Sequence, residues 1–168
     1  MTKFSLYLCV ILVIFLVGCS QNASTPFSTN DVLNSSGAKF EGNVSDPSSI
    51  AFFKYNVGDR VLFSIDQSDI DQSGKDILLG QVKWLQANAD YKIIIEGHAD
   101  ERGTREYNLA LGARRANSAR EFLVSQGIES SRIQTVSFGK ERPVELCSKE
   151  NCYSENRRAV SVVSNLNF

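Results

Sequence analysis

The run "YKIIIE", Tyr91 to Glu96, restricts the fold more than any other feature of the chain. An unbroken apolar stretch of this length reads as a strand covered on both faces. It runs straight into "EGHADERGTREYN", and a helical period follows at Leu109, Ala113, Ala116, Ala119 and Leu123, with Gly127 placed as a C′ glycine. The charged segment is therefore a strand-to-helix loop. On either side, "IAFFKY", "RVLFSI", "RIQTVSF" and "RAVSVVSNL" read as strands. A first helix, capped by Ser73, carries Leu78, Val82, Leu85 and Ala89 on one face, with Ile77 and Trp84 flanking. The last two strands are joined by a loop holding Pro143 and two cysteines. The order β-α-β-α-β-β predicts an α/β (α+β) two-layer sandwich, with a mixed sheet and helices on one face. This domain is expected over residues 50–168.

The 168 residues suit one domain plus extensions. A net charge of −1 excludes a global basic attraction to nucleic acid. At the start, Lys3 precedes an apolar run from Leu6 to Val17, shorter than the roughly 20 residues needed to span a bilayer, so residues 1–18 read as a signal segment. Leu16-Val17-Gly18-Cys19 resembles the lipobox of bacterial lipoproteins, which implies acylation of Cys19; the plain alternative is a free or buried thiol. Residues 19–49 are rich in Ser, Asn, Thr and Gly and read as a linker with an end-to-end distance of about 30 Å. Cys147 and Cys152 remain, and in an exported chain a C-x4-C spacing favours a local disulfide over a metal site, which would want further ligands.

Ligands in open α/β sheets bind beyond the carboxyl ends of strands, where a following helix offers unpaired N–H groups. The charged loop has that address. Asp100 is placed to receive an ammonium group, and Arg115, about two turns into the helix, to pair a carboxylate, so together they suit a zwitterion. Two other readings compete. His98 with Asp100 and Glu101 would serve a hydrolase as base, acid or metal ligand. The bland reading is a solvated face, and it suits Arg114, Arg120 and Glu121.

The stretch "EGHADERGTREYNLALGARRAN" resembles the signature of the peptidoglycan-associated lipoproteins, within the outer-membrane-protein-A-like wall-binding domains, and the likeness runs from "VLFSIDQSDI" to "NRRAV". The resemblance implies a non-catalytic, cofactor-free domain that grips the diaminopimelate-containing stem peptide of peptidoglycan while its lipid holds the outer membrane. It assigns Asp100 to the ligand's amine and Arg115 to its carboxylate, lines the site with Asp66 and Leu111, and gives Asn108 and His98 supporting places in the loop. It also implies a second partner, the β-propeller protein of the Tol system. Ser64, where an aspartate is usual, and Ala119, where a valine is usual, depart from the pattern, as do the two cysteines.

Overall fold

The computed structural model describes residues 42–165. The signal segment, Cys19 and the linker up to residue 41 lie outside the described residues. The described chain begins with turns: Asp46 N–H donates to the Asn43 carbonyl and Ser49 N–H to the Asp46 carbonyl. Trp84 Nε1 donates to the Pro47 carbonyl at 2.7 Å, and Ser49 is buried. Packing onto the domain thus starts several residues before Ile50, where the sequence places the linker.

The first expected strand, "IAFFKY", is helical instead. Ser49 caps α1 (Ile50–Phe52) through its hydroxyl, and the helix widens into a π-helical stretch over Phe53–Gly58. Its aromatic residues suggest a strand, but Phe53 is buried against the Trp84 ring, 4.9 Å between centroids. Tertiary packing decides the conformation here.

The remaining strands and α-helices are β1 (Arg60–Leu62), α2 (Gln72–Ala87), β2 (Lys92–His98), α3 (Arg105–Ser125), β3 (Ile133–Gly139), α4 (Glu150–Asn156) and β4 (Arg158–Ser164), with a short 3-10 turn over Ser130–Arg132 before β3. They form a four-stranded mixed sheet of order β1-β4-β2-β3, with β2 and β3 parallel and β4 antiparallel to both β1 and β2. Val61, Ala159, Ile93, Ile95 and Ile133 share one sheet face and meet Leu78, Val82, Leu85, Ala116, Ala119 and Leu123 in a single core. Both long helices therefore lie on one face. On the other face Ile94 stays half-buried and Val162 exposed, so β2 is covered on one side only, contrary to its unbroken apolar run.

Asp71, not Ser73, caps α2, accepting from Gly74 N–H at 2.7 Å. In α3 the buried stripe is Asn108, Leu111, Gly112, Arg115, Ala116, Ala119 and Leu123; Leu109 and Ala113 face outward. Two glycines set that rotation. A β-carbon on Gly97 would stand 1.8 Å from the Gly112 carbonyl oxygen, so α3 crosses β2 with backbone against backbone. This contact brings the N-terminal turns of α3 down onto the end of β2. The loop between the last strands contains α4, a short helix that the sequence reading leaves as loop.

Gly97→Ala is expected to destabilise the domain by about 3 kcal/mol in urea unfolding, because the added β-carbon collides with main chain and forces α3 off the sheet. Gly127→Ala, at φ +93° in open space, should cost only about 1 kcal/mol.

Candidate functional site

The pocket beyond the end of β2 has a volume of about 320 Å³ and is lined by Ile65, Asp66, Asp100, Arg102, Gly103, Tyr107, Asn108, Leu111 and Arg115. All four residues that the sequence assigns to a ligand converge there. Thr104 caps α3, its hydroxyl accepting from Tyr107 N–H. Asn108 Nδ2 donates to the Arg102 carbonyl at 2.7 Å, which ties the charged loop to the helix.

Arg115 is fully buried and donates to three main-chain carbonyls: Gln67 through Nε at 2.8 Å, His98 through Nη1 at 2.8 Å and Ser64 through Nη2 at 3.1 Å. A guanidinium has five N–H donors, so these bonds use three of them. Sequence reasoning sees a free charge on a helix face, whereas the structure uses Arg115 first as a bracket holding the chain after β1 against the end of β2. Between the bracketed carbonyls, Asp66 adopts φ +58°, rare for a residue with a β-carbon, and accepts a hydrogen bond from the Tyr107 hydroxyl. Burial, then the Arg157 guanidinium, lowers the Arg115 pKa to about 10, which leaves it charged at neutral pH.

Asp100 is buried beside it. Arg102 reaches its carboxylate with Nη2 at 2.5 Å and Nε at 3.2 Å, and Arg157 with Nη1 at 3.3 Å. Burial pushes the Asp100 carboxyl up, but the hydrogen bonds from the two arginines outweigh it and hold the group below its ordinary value. Arg157, which sequence reasoning did not single out, also donates to the Phe63 carbonyl and to Glu150. The doublet Arg157-Arg158, next to a strand, was its only trace in the sequence.

His98 lends the site its carbonyl and turns its ring elsewhere. The ring stacks on Phe138 at 5.6 Å, and neither nitrogen has a hydrogen-bond partner among the described residues. Glu96 Oε2 stands 3.6 Å from Nε2, beyond hydrogen-bonding reach. Burial, then the charges of Arg158 and Arg142, lowers its pKa to about 4. The ring therefore makes neither the backbone hydrogen bond of a loop former nor an approach to Asp100 of the kind a shared catalytic role would need. Glu101 points outward and accepts from Ser148 and Tyr153. Among the described residues no cluster of three His, Cys, Asp or Glu side chains could hold a metal ion, and no helix is long and apolar enough to cross a membrane. Cys147 and Cys152 are bonded, Sγ to Sγ, at 2.01 Å.

Residues 62–160 match the OmpA family. A peptidoglycan-associated lipoprotein of Mesorhizobium japonicum is 46% identical over 98% of this chain and 94% of the relative. The chain belongs to the peptidoglycan-associated lipoproteins of the OmpA family. Another member, from Agrobacterium fabrum, is 46% identical over 90% of this chain and 83% of its own length. The crystal structure of the peptidoglycan-associated lipoprotein from Burkholderia pseudomallei is 35% identical with a TM-score of 0.64, covering 72% of this chain and 98% of that one.

Two outcomes follow from the buried groups. Arg115→Ala strands three carbonyls and should lower unfolding stability by about 3–5 kcal/mol. His98 stays neutral in the fold while its unfolded counterpart protonates near pH 6.5, so stability is present above that pH and is lost as pH falls toward about 4. In chemical denaturation across this window, His98→Gln should flatten the decline.

Proposed function

We propose that the chain is a lipid-anchored tether whose domain holds the diaminopimelate-containing stem peptide of peptidoglycan without cleaving it. The observation that carries the reading is the pocket itself, which sets the Asp100 carboxylate and the exposed Asp66 against the buried Arg115 charge. A ligand bearing an ammonium and a carboxylate a few bonds apart satisfies both ends. Leu111 and Ile65 supply apolar wall for the methylenes between them. The names of the relatives point to the same polymer.

The hydrolase reading through His98 draws no support from the ring's position. A hydrolase reading needs His98 as a proton carrier near Asp100, and the ring instead packs neutral on Phe138. Cys19 would carry the lipid and place the domain on the periplasmic side of the outer membrane. The Tol-system β-propeller is the second partner that family kinship suggests.

The full chain should co-sediment with purified diaminopimelate-type peptidoglycan and release no soluble muropeptides. Release of muropeptides would replace the tether with an enzyme. Asp100→Asn should weaken binding about 30-fold or more, as expected when one partner of a buried charge pair is lost. Arg114→Ala, on the outward face of α3, should change it little. For the anchor, mass spectrometry of Cys19→Ser is expected to find only unprocessed, unacylated precursor. A wild-type mature N-terminus at any other residue would overturn the lipid assignment.

A further inference from the structure

The Asp100 carboxylate is already full. Its two oxygens offer about four lone-pair sites. Oδ1 accepts from Arg102 N–H at 3.1 Å and Arg102 Nε at 3.2 Å, and Oδ2 from Arg102 Nη2 at 2.5 Å and Arg157 Nη1 at 3.3 Å. An ammonium group can therefore reach Asp100 only by displacing a resident donor. The main-chain N–H is fixed. The Arg157 side chain is 6% exposed and is also held by the Phe63 carbonyl and Glu150. The Arg102 side chain is 42% exposed, so it is the group that yields.

The structure also supplies the place to which it yields. Arg102 Nη1 lies 3.7 Å from Glu150 Oε2, and its guanidinium sits 4.5 Å over the Tyr153 ring. Both partners belong to α4, and Glu150 lies within the ring closed by the Cys147–Cys152 bond. Ser148, inside the same ring, and Tyr153 both donate to Glu101 at 2.9 Å, which fixes this segment against the charged loop. Glu150 Oε1 meanwhile holds Arg157 at 2.7 Å. The segment thus touches both arginines that serve Asp100.

We propose that Arg102 is a built-in competitor for the ligand's ammonium group, resting on Asp100 and yielding to a second berth, Glu150 with Tyr153, that the Cys147–Cys152 bond holds in place. The proposal rests on the reading that Asp100 receives an ammonium. Ligand entry exchanges one cation for another at Asp100, so neither the carboxylate nor the displaced guanidinium is left unpaired. Arg102 and α4 then set affinity and selectivity: a weakly paired cation does not dislodge Arg102, whereas one whose carboxylate is also held at Arg115 does. Arg102 and Glu150 are positioning residues here, because they act through Asp100.

Calorimetry of the full chain in detergent with a synthetic diaminopimelate-containing stem tripeptide tests this. Arg102→Ala should tighten binding about two- to five-fold, the range for losing one partly exposed ion pair. Glu150→Gln and the double variant Cys147→Ser with Cys152→Ser should each weaken it by a similar factor, and the cysteine variant should not matter once Arg102 is alanine. NMR titration of the Asp100 carboxyl, which needs no ligand, should show a higher pKa in Arg102→Ala. Weaker binding by Arg102→Ala, with wild type binding normally, makes Arg102 a ligand contact and overturns the competition alone. Wild-type affinity in both α4 variants overturns the second berth. An unmoved Asp100 titration in Arg102→Ala overturns the resting pair, whatever the ligand. Absence of binding by every variant overturns the tether reading, and the competition with it.

Discussion

Two buried guanidinium groups hold the pocket together. Arg115 gathers the carbonyls of Ser64, Gln67 and His98, and Arg157 takes that of Phe63. The irregular chain after β1 has few ladder partners of its own, so these donors take the place of secondary structure. Burying charge this deep is costly unless it is fully hydrogen-bonded. Here the cost is offset by main-chain oxygens and by Asp100, which faces both arginines. The same bonds that make the loop a structure leave a positive floor beneath the pocket and a carboxylate at its wall.

That arrangement depends in turn on how closely α3 approaches the sheet. Gly97 and Gly112 let helix and strand touch main chain to main chain. A side chain at either position would lift α3, and the Arg115 guanidinium would no longer reach the His98 carbonyl on β2. A short polar connection completes the geometry: Thr104 starts the helix and Asn108 ties it back to the Arg102 carbonyl. Packing, capping and charge therefore converge on one loop, and the pocket is a consequence of all three.

Much of this was legible in the sequence. The strand–loop–helix order and the mixed sheet follow from periodicity, the pairing of Asp100 with Arg115 from the charged loop and the helix after it, and the addition of Asp66 and Leu111 from the family resemblance alone. Most of the misses depend on partners distant in the chain, whereas the helix cap is a local choice between two good candidates. "IAFFKY" has strand-like residues but turns helical because Phe53 packs on Trp84. Ser73 and Asp71 are both good capping residues, and only the chain's path selects Asp71. A helical wheel placed Ala113 inward, but the Gly97–Gly112 contact rotates α3 toward Asn108, Leu111 and Arg115. No local pattern reveals that three carbonyls await Arg115, that His98 turns its ring away from the loop, or that Arg157 and Arg102 share Asp100.

Recognition of a zwitterion, with Asp100 taking the amine and Arg115 the carboxylate, is the claim on which the function rests. The most direct measurement compares the affinity of the full chain for two stem peptides of equal length, one carrying diaminopimelate and one carrying lysine, which keeps the terminal amine but lacks its neighbouring carboxylate. Binding to diaminopimelate with a loss of about 30-fold or more for lysine is the expected result, since lysine has no carboxylate to pair with Arg115. Equal affinity for the two peptides would contradict it.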